Sequence, residues 1–211
     1  MIIAKPMTNR VYKLIYRDVV TNVFDVNQIV SESQLVKRYD SSKAPVREAL
    51  ISLCDKNVMK SIPRAGYQIV QILPNEVREI METRKVIELY MLEISCPSID
   101  DCQLAMLYNQ DREMEKLNLE QMSVYEQWAK NVEFHMLLAS FSNNEYMLKI
   151  LKDILRDNAR AAAQYHIQSG KAIIDQKQRG HQRLIQAIAA KDIEKAKKIL
   201  IQDIGFFSFG L

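Results

Sequence analysis

Apolar residues in the first third of the chain recur at two different spacings. Between residues 8 and 23 they fall every three or four positions, which predicts an amphipathic helix. Its apolar side comprises Val11, Leu14, Ile15 and Val19, and extends to Val20 and Val23. Residues 58–62 and 67–70 instead alternate apolar and polar side chains, which predicts two short strands. The turn between them, residues 63–66, ends at Gly66, which adopts backbone conformations that other residues resist.

Residues 31–50 carry the pattern of two short helices around a tight break. Ser31 and Gln34 have the spacing of a capping box at the start of the first helix. Residues 39–42 favour a turn, because they include short polar side chains that hydrogen-bond to their own backbone. Ser42 is then placed to cap the second helix, with Pro45 in its first turn. This arrangement predicts a helix-turn-helix.

One face of that second helix is apolar and the other is basic. The exposed face carries Ser42, Lys43 and Arg47 at its start, and the buried face carries Val46, Ala49, Leu50 and Leu53. An ordinary helical hairpin with a solvated charged face would show the same periodicity. With the following hairpin the order becomes a winged helix, and the wing tip brings Arg64 and the Gly66 backbone beside the recognition helix. Arg64 alone would be a solvated hairpin-tip residue.

Beyond Pro74 the pattern is helical throughout. The predicted helices connect through short breaks, as in an antiparallel bundle. They span about residues 75–95, 99–119, 123–141, 145–169, 171 or 174 to 190, and 192–204. The expected fold is therefore mostly α, with a winged helix-turn-helix at residues 1–73 and an all-α bundle of about six helices at residues 74–211.

Charge divides along the same boundary. The net charge of +3 separates into +5 for residues 1–73 and −2 for residues 74–211. A basic module joined to a slightly acidic domain fits nucleic-acid binding, although a few surface lysines would give the same total. Cys54, Cys96 and Cys102 form no CxxC pair, and no apolar run reaches the length of a signal peptide or a membrane span. These features predict a cytoplasmic protein without membrane contact.

The segment SSKAPVREAL, residues 41–50, resembles the recognition-helix motif of the GntR family of bacterial transcription regulators. The similarity continues through Leu53, residues 55–57 and Gly66. Three positions depart from the family pattern: Asp40 stands where Gly is usual, Ser41 where an apolar residue is usual, and Ser33 where many members have Arg. By this resemblance, Ser42, Lys43, Arg47, Arg64 and the Gly66 backbone are expected to contact double-stranded DNA.

The second domain resembles the FCD ligand-binding domain of the FadR-like GntR branch. The similarity lies in VREIMETRKVIE, EFHMLLASFSNN and RGHQRLIQAIAAKDIEKA, residues 77–88, 133–144 and 179–196. It implies that the helical domain forms a homodimer, so that the operator is palindromic. The C-terminal Phe206, Phe207 and Phe209 either pack across that dimer or fold onto their own subunit.

The same resemblance implies a divalent metal site in the bundle. Asn131 and His135 lie four residues apart and share a helix face; together with His181 they match the family's ligand positions, and Asp203 takes the place of the last His. Zinc is favoured for this set, and manganese or nickel also fits it. The alternative is that the two histidines are hydrogen-bonded core residues. His166 matches no ligand position.

Arg84 matches the arginine that lines the effector pocket in this family, and its planar guanidinium suits a small carboxylate. A pair with Glu88, four residues on, is the alternative. Arg156 and Arg160 are further effector-binding candidates.

The function expected from these features is an effector-responsive transcription regulator, with repression the commoner family mode. A metal-dependent enzyme acting on a small carboxylate, with a winged-helix appendage, is the alternative. The chain lacks an HExxH motif, and Glu133 is expected to face away from His135, both of which oppose that alternative. A winged helix that docks a protein is disfavoured by the cations on its recognition helix.

Overall fold

The computed structural model describes residues 6–116, 122, 124–169 and 178–205. The chain divides into two compact units, one ending at Ile72 and the other beginning at Leu73. Within the described residues no helix is both long enough and apolar enough to cross a bilayer.

The first unit is a winged helix-turn-helix, as predicted. Its elements are α1 (Pro6–Val20), β1 (Ile29–Val30), α2 (Glu32–Arg38), α3 (Lys43–Asp55), β2 (Met59–Ile62) and β3 (Gly66–Ile69). The sheet is antiparallel in the order β1-β3-β2, and Tyr67 on β3 is paired with Val30 on one side and Ser61 on the other. Four α3 residues with no exposed surface form the core against α1: Val46, Ala49, Leu50 and Leu53.

Helix α1 ends earlier than the apolar pattern predicts. It stops at Val20, because Asn22 adopts a left-handed backbone angle of φ 52° and the chain turns back onto the Asp18 carbonyl. Val20 is buried, but Val23 follows this turn and is 48% exposed. The placement of Val23 on the apolar side of α1 was therefore wrong.

The turn between α2 and α3 depends on Asp40, which has φ 44°. This is the left-handed region that glycine favours and that Asp tolerates better than most residues. The capping box before α2 is present. The backbone N–H of Gln34 donates to the Ser31 hydroxyl, and the backbone N–H of Ser31 donates to the side-chain oxygen of Gln34. Ser42 does occupy the N-cap position of α3, but its hydroxyl makes no capping hydrogen bond to a described residue.

The wing requires glycine at residue 66. Gly66 has φ 132°, and a Cβ atom there would lie 2.5 Å from the carbonyl oxygen of Val30. Any side chain would therefore push β3 away from β1.

The second unit is a helical bundle. Its helices, as far as they are described, are α4 (Pro74–Ser95), α5 (Asp101–Glu115), α6 (Val124–Ser140), α7 (Glu145–Ser169), α8 (Gln178–Ala189) and α9 (Ile193–Gly205). A short 3-10 turn, Cys96–Ser98, follows α4 and contains Pro97. Helix α4 packs against α6, α7 and α9, so side chains from these four helices meet in the interior. The predicted helical residues 117–119, 123 and 171–177 lie outside the described residues.

Candidate functional site

The exposed start of α3 carries the predicted DNA-contacting side chains. Ser42, Lys43 and Arg47 are all exposed, opposite the buried face of the same helix. Arg47 makes a two-point ion pair with Glu32 at the start of α2: Nε lies 3.1 Å from Oε2 and Nη2 lies 3.0 Å from Oε1. The hydrogen bonds to Glu32 raise the pKa of the Arg47 guanidinium, and the Tyr67 phenol adds to that effect. The guanidinium of Arg47 is thus paired at two points with a neighbouring carboxylate.

The wing tip presents the other two predicted residues. Arg64 is exposed and has a left-handed backbone angle of φ 63°, within the turn that Gly66 closes. The structure therefore keeps Arg64 and the Gly66 backbone at the tip of the β2–β3 hairpin, in the same unit as α3.

A buried aspartate on α1 forms hydrogen bonds to residues at the end of α2. Asp18 is 2% exposed; its carboxylate accepts hydrogen bonds from Arg38 Nε at 2.8 Å and from the Tyr39 hydroxyl at 2.9 Å. Both donors lie at the end of α2, so Asp18 fixes the point where the turn begins. Asp18 was not predicted from the sequence, although it lies three positions after Ile15 and seven after Val11 on the apolar side of α1.

In the bundle, the structure brings three of the four predicted metal ligands together. His135 on α6, His181 on α8 and Asp203 on α9 are buried, and one ligand atom from each lies within 4.8 Å of the others. Asp203 Oδ2 lies 3.1 Å from His135 Nε2 and 3.9 Å from His181 Nε2. Both imidazoles therefore point the same nitrogen at one carboxylate.

A second carboxylate stands behind each imidazole. His135 Nδ1 lies 2.6 Å from Glu88 Oε2, and His181 Nδ1 lies 3.5 Å from Asp111 Oδ1. The Glu88 carboxylate favours a proton on His135 Nδ1, which is the tautomer whose Nε2 can bind a metal. The Asp111 charge lies beside His181 Nδ1, but the two atoms make no hydrogen bond. The Phe134 ring stacks on the His181 imidazole, with the two ring centroids 3.8 Å apart, and fixes the plane of the imidazole.

Asn131, the fourth predicted ligand, completes the cluster. It is 1% exposed, and its Nδ2 lies 3.2 Å from His181 Nε2. Its Oδ1 has no hydrogen-bond partner among the described residues. Because amide nitrogen and oxygen are assigned from their contacts, exchanging them would turn Oδ1 toward His181 Nε2. Two imidazole nitrogens, a carboxylate and an orphaned amide oxygen form a donor set that fits a divalent metal ion.

Arg84 contacts Glu88, which in turn contacts His135 of this cluster. Two roles were predicted for Arg84: binding a carboxylate effector, and pairing with Glu88. It is fully buried; its Nε donates to Glu88 Oε1 at 2.5 Å and its Nη1 donates to Asn158 Oδ1 at 2.9 Å. The expected pair with Glu88 is therefore present. Arg84 Nη2 has no hydrogen-bond partner among the described residues, which leaves a buried cationic NH2 group available to an anion.

Electrostatics distinguish the two histidines. Burial raises the pKa of the Glu88 carboxyl, but the charges of Arg84 and His135 outweigh burial and bring that pKa down to about 2. For His135, burial and the Arg84 charge lower the pKa, and the Glu88 and Asp203 carboxylates together more than offset them, so the net shift is upward. For His181, burial dominates and the pKa is lowered. A neutral His181 is the form that binds a metal.

The two remaining effector candidates lie on α7 in ion pairs with residues of the same helix. Arg156 binds Asp157, with Nη2 and Oδ2 3.1 Å apart, and also contacts Asp153. Arg160 is 6% exposed and its Nη1 lies 3.9 Å from Asp157. Asn158, between them, is the α7 side chain that bonds Arg84.

Three site residues were therefore missed: Glu88 as a histidine partner, Asp111 and Asn158. Each is a polar side chain at an inward helical position; Asp111 follows Leu107 by four residues and Asn158 follows Leu155 by three. That spacing was the available signal. The side chain of His166 and the C-terminal Phe206, Phe207 and Phe209 lie outside the described residues.

The exposed Glu133 confirms that this glutamate faces away from the cluster. It pairs with Lys130, 2.9 Å away, on the outer side of α6.

Comparison with known proteins agrees with this architecture. Residues 7–69 match the family described as bacterial regulatory proteins, gntR family, and residues 79–205 match the FCD domain. The chain is 27% identical to the HTH-type transcriptional regulator YdhC of Bacillus subtilis over 90% of this chain and 82% of that protein. It is 25% identical to the gluconate operon transcriptional repressor of Bacillus licheniformis, over 88% and 76%. The solved structure of E. coli McbR/YncC superposes with a TM-score of 0.75 at 18% identity, covering 95% of this chain and 94% of that one. The chain belongs to the GntR family of DNA-binding transcription regulators, with an FCD domain as its second unit, and is not an enzyme.

Proposed function

We propose that the protein is a repressor whose operator binding is controlled by a small carboxylate bound near a divalent metal in the helical bundle. The observation that carries this proposal is the buried chain of contacts from Arg84 through Glu88 to His135. A fully buried guanidinium whose Nη2 has no partner among the described residues offers a cationic donor that an anion would complete. The relatives named as repressors support the sign of regulation.

The proposed metal ligands are Asn131, His135, His181 and Asp203. Zinc is favoured, and manganese or nickel also fits the mixture of nitrogen and oxygen donors. When bound, the metal would offer open coordination positions to the oxygens of the effector. Glu88 would hold the His135 imidazole in the metal-binding tautomer, and the Asp111 carboxylate lies beside His181 Nδ1.

The effector proposed for this site is a small carboxylate. Arg84 would donate from Nη2 to one carboxylate oxygen while Glu88 and Asn158 hold the remainder of its guanidinium. Arg156 and Arg160 remain candidates for additional contacts from α7. Because Arg84, Asn158 and Arg160 are buried, the response would depend on size as well as charge.

On the DNA side, the protein would act as a homodimer formed through residues 74–211, with residues 1–73 as the DNA-binding domain. Lys43 and Arg47 are proposed to contact base edges or phosphates, and Ser42, Arg64 and the Gly66 backbone to contact the DNA backbone. A single winged helix covers only a few base pairs, so two copies on a palindromic operator are needed for specificity.

The test begins with selection of the operator from genomic fragments by the full-length protein. Its affinity is then titrated at two salt concentrations, with metal-loaded and chelator-treated protein, against acetate, lactate, succinate, fumarate and citrate. We expect steeply salt-dependent binding that at least one carboxylate releases, only in the metal-loaded form. Arg47→Ala should abolish selective binding, whereas the exposed Arg112→Ala on α5 should not.

The two halves of the proposal fail separately. Retained operator selectivity in Arg47→Ala would contradict the DNA-contact assignment. Operator affinity that no carboxylate changes, in protein shown to contain metal, would contradict the effector assignment.

A further inference from the structure

Gly180 stands immediately before the proposed ligand His181, inside helix α8. Its backbone is helical, so the conformational freedom of glycine is not needed there. Alanine has the higher helix propensity, and glycine at such a position requires another explanation.

The explanation lies across the helix pair, at Asp203. A Cβ atom added at Gly180 would lie 3.1 Å from Asp203 Oδ1 and 4.0 Å from its Cγ. The first distance is shorter than ordinary van der Waals contact. A side chain at residue 180 would therefore crowd one carboxylate oxygen of Asp203 and push it by a few tenths of an ångström.

The other oxygen of that carboxylate faces the histidines. Asp203 Oδ2 lies 3.1 Å from His135 Nε2 and 3.9 Å from His181 Nε2. Since the two oxygens belong to one rigid planar group, pushing Oδ1 away from α8 must also move Oδ2 relative to both imidazoles.

The backbone has little freedom to absorb such a push. Helices α8 and α9 are joined by a tight turn, in which the Asp192 amide donates to the Ala187 carbonyl at 3.0 Å. Between them lie side chains with no exposed surface, among them Leu184, Ile188, Leu200 and Ile204. Separating the helices would open this packed layer, so the carboxylate is the part that would move.

We infer that Gly180 is a positioning residue for the metal site: its lack of a side chain lets the Asp203 carboxylate reach between His135 and His181. This inference rests on the proposed metal function and adds a residue that binds nothing itself. It also explains how an aspartate, where the family resemblance leads one to expect histidine, still presents an oxygen to both imidazoles.

The test uses the full chain and titrations with zinc chloride and manganese chloride. Gly180→Ala should weaken metal binding by about tenfold or more, as expected when a group that orients a ligand is disturbed. The matched control is Gly205→Ala, the same substitution at the end of α9, where an added Cβ meets no described atom within 4 Å. That variant should bind metal within about twofold of the parent protein.

A double-mutant comparison separates positioning from general damage. In an Asp203→Ala background, Gly180→Ala should cause no further loss of metal affinity, because the displaced group is absent. Circular dichroism and thermal melting of the metal-free proteins check that each variant folds.

The outcomes are distinguishable. Parent protein that binds neither metal would overturn the metal site and this inference with it. Parent protein that binds metal, with Gly180→Ala binding equally well, would overturn the inference alone. An undiminished loss in the Asp203→Ala background, or a lower melting temperature with unchanged metal affinity, would also overturn it, since Gly180 would then serve helix packing only.

Discussion

Glu88 and His135 meet at 2.6 Å between Oε2 and Nδ1, and the other oxygen of the same carboxylate accepts from Arg84. One side chain thus orients a proposed metal ligand and neutralises a proposed effector-binding cation. All three residues are buried, so the carboxylate compensates charge where water cannot.

Replacing Glu88 by Gln is expected to damage both stability and metal binding. Arg84 would become an uncompensated buried charge, which typically costs about 3–5 kcal/mol. His135 would also lose its orienting carboxylate, which typically costs about 10–100-fold in metal affinity. Urea unfolding of the metal-free protein measures the first effect, and zinc titration measures the second.

Glu133→Gln is the control for that experiment. Glu133 lies on the same helix as His135, but its side chain is 49% exposed and pairs with Lys130. Equal losses in the two variants would show that Glu88 has no special role at the site.

Arg84→Lys should separate effector recognition from folding. Lysine keeps the positive charge beside Glu88 but loses the planar fork that bonds Glu88 and Asn158 at once. We expect carboxylate affinity to fall by about tenfold, or about 1.4 kcal/mol. Calorimetric titration of the metal-loaded variant with the carboxylate that binds the parent protein measures this change. Unchanged affinity would remove Arg84 from the effector site.

The limits of sequence reasoning are visible in particular residues. Helix periodicity located α3 and its buried face because Val46, Ala49, Leu50 and Leu53 repeat at one spacing. Asp40 looked like a departure from the pattern of the turn, yet it adopts the same left-handed angle that glycine would. Asp at residue 40 thus preserves the backbone conformation of the turn, although it differs from the residue that the family motif has there.

The bundle site was harder to predict, because its contacts join distant parts of the chain. Asn158 bonds Arg84 across 74 residues and Glu88 bonds His135 across 47. Periodicity shows that such polar residues face inward, but only the packing of α4 against α6 and α7 decides which ones meet. The motif resemblance supplied the two histidines and not the carboxylates behind them.

Asp18→Ala should destabilise the first unit. The substitution leaves the Tyr39 hydroxyl and the Arg38 guanidinium without their shared acceptor, and a lost partner of a buried polar group costs about 1–3 kcal/mol. Thermal and urea unfolding measure the change. Asp25→Ala, at an exposed position after α1, is the matched control and should change stability by less than about 0.5 kcal/mol. Equal effects would mean that Asp18 does not anchor the turn.

Glu32→Gln is expected to change DNA discrimination more than affinity. The carboxylate holds the Arg47 guanidinium at two points, on the face proposed to meet DNA. Without its charge, repulsion of phosphates falls and binding to scrambled DNA should strengthen, while Arg47 loses its fixed orientation. The ratio of operator to scrambled affinity should therefore drop by about tenfold, within the 1–3 kcal/mol that a specific base contact contributes.

The measurement is a pair of titrations, operator against scrambled duplex, at two salt concentrations. Asp55→Asn removes the same charge from the exposed far end of α3 and controls for net charge. A discrimination ratio that falls equally in both variants would show that only the total charge matters. A ratio that falls in Glu32→Gln alone would identify Glu32 as the residue that presents Arg47 to the operator, because the two variants carry the same net charge.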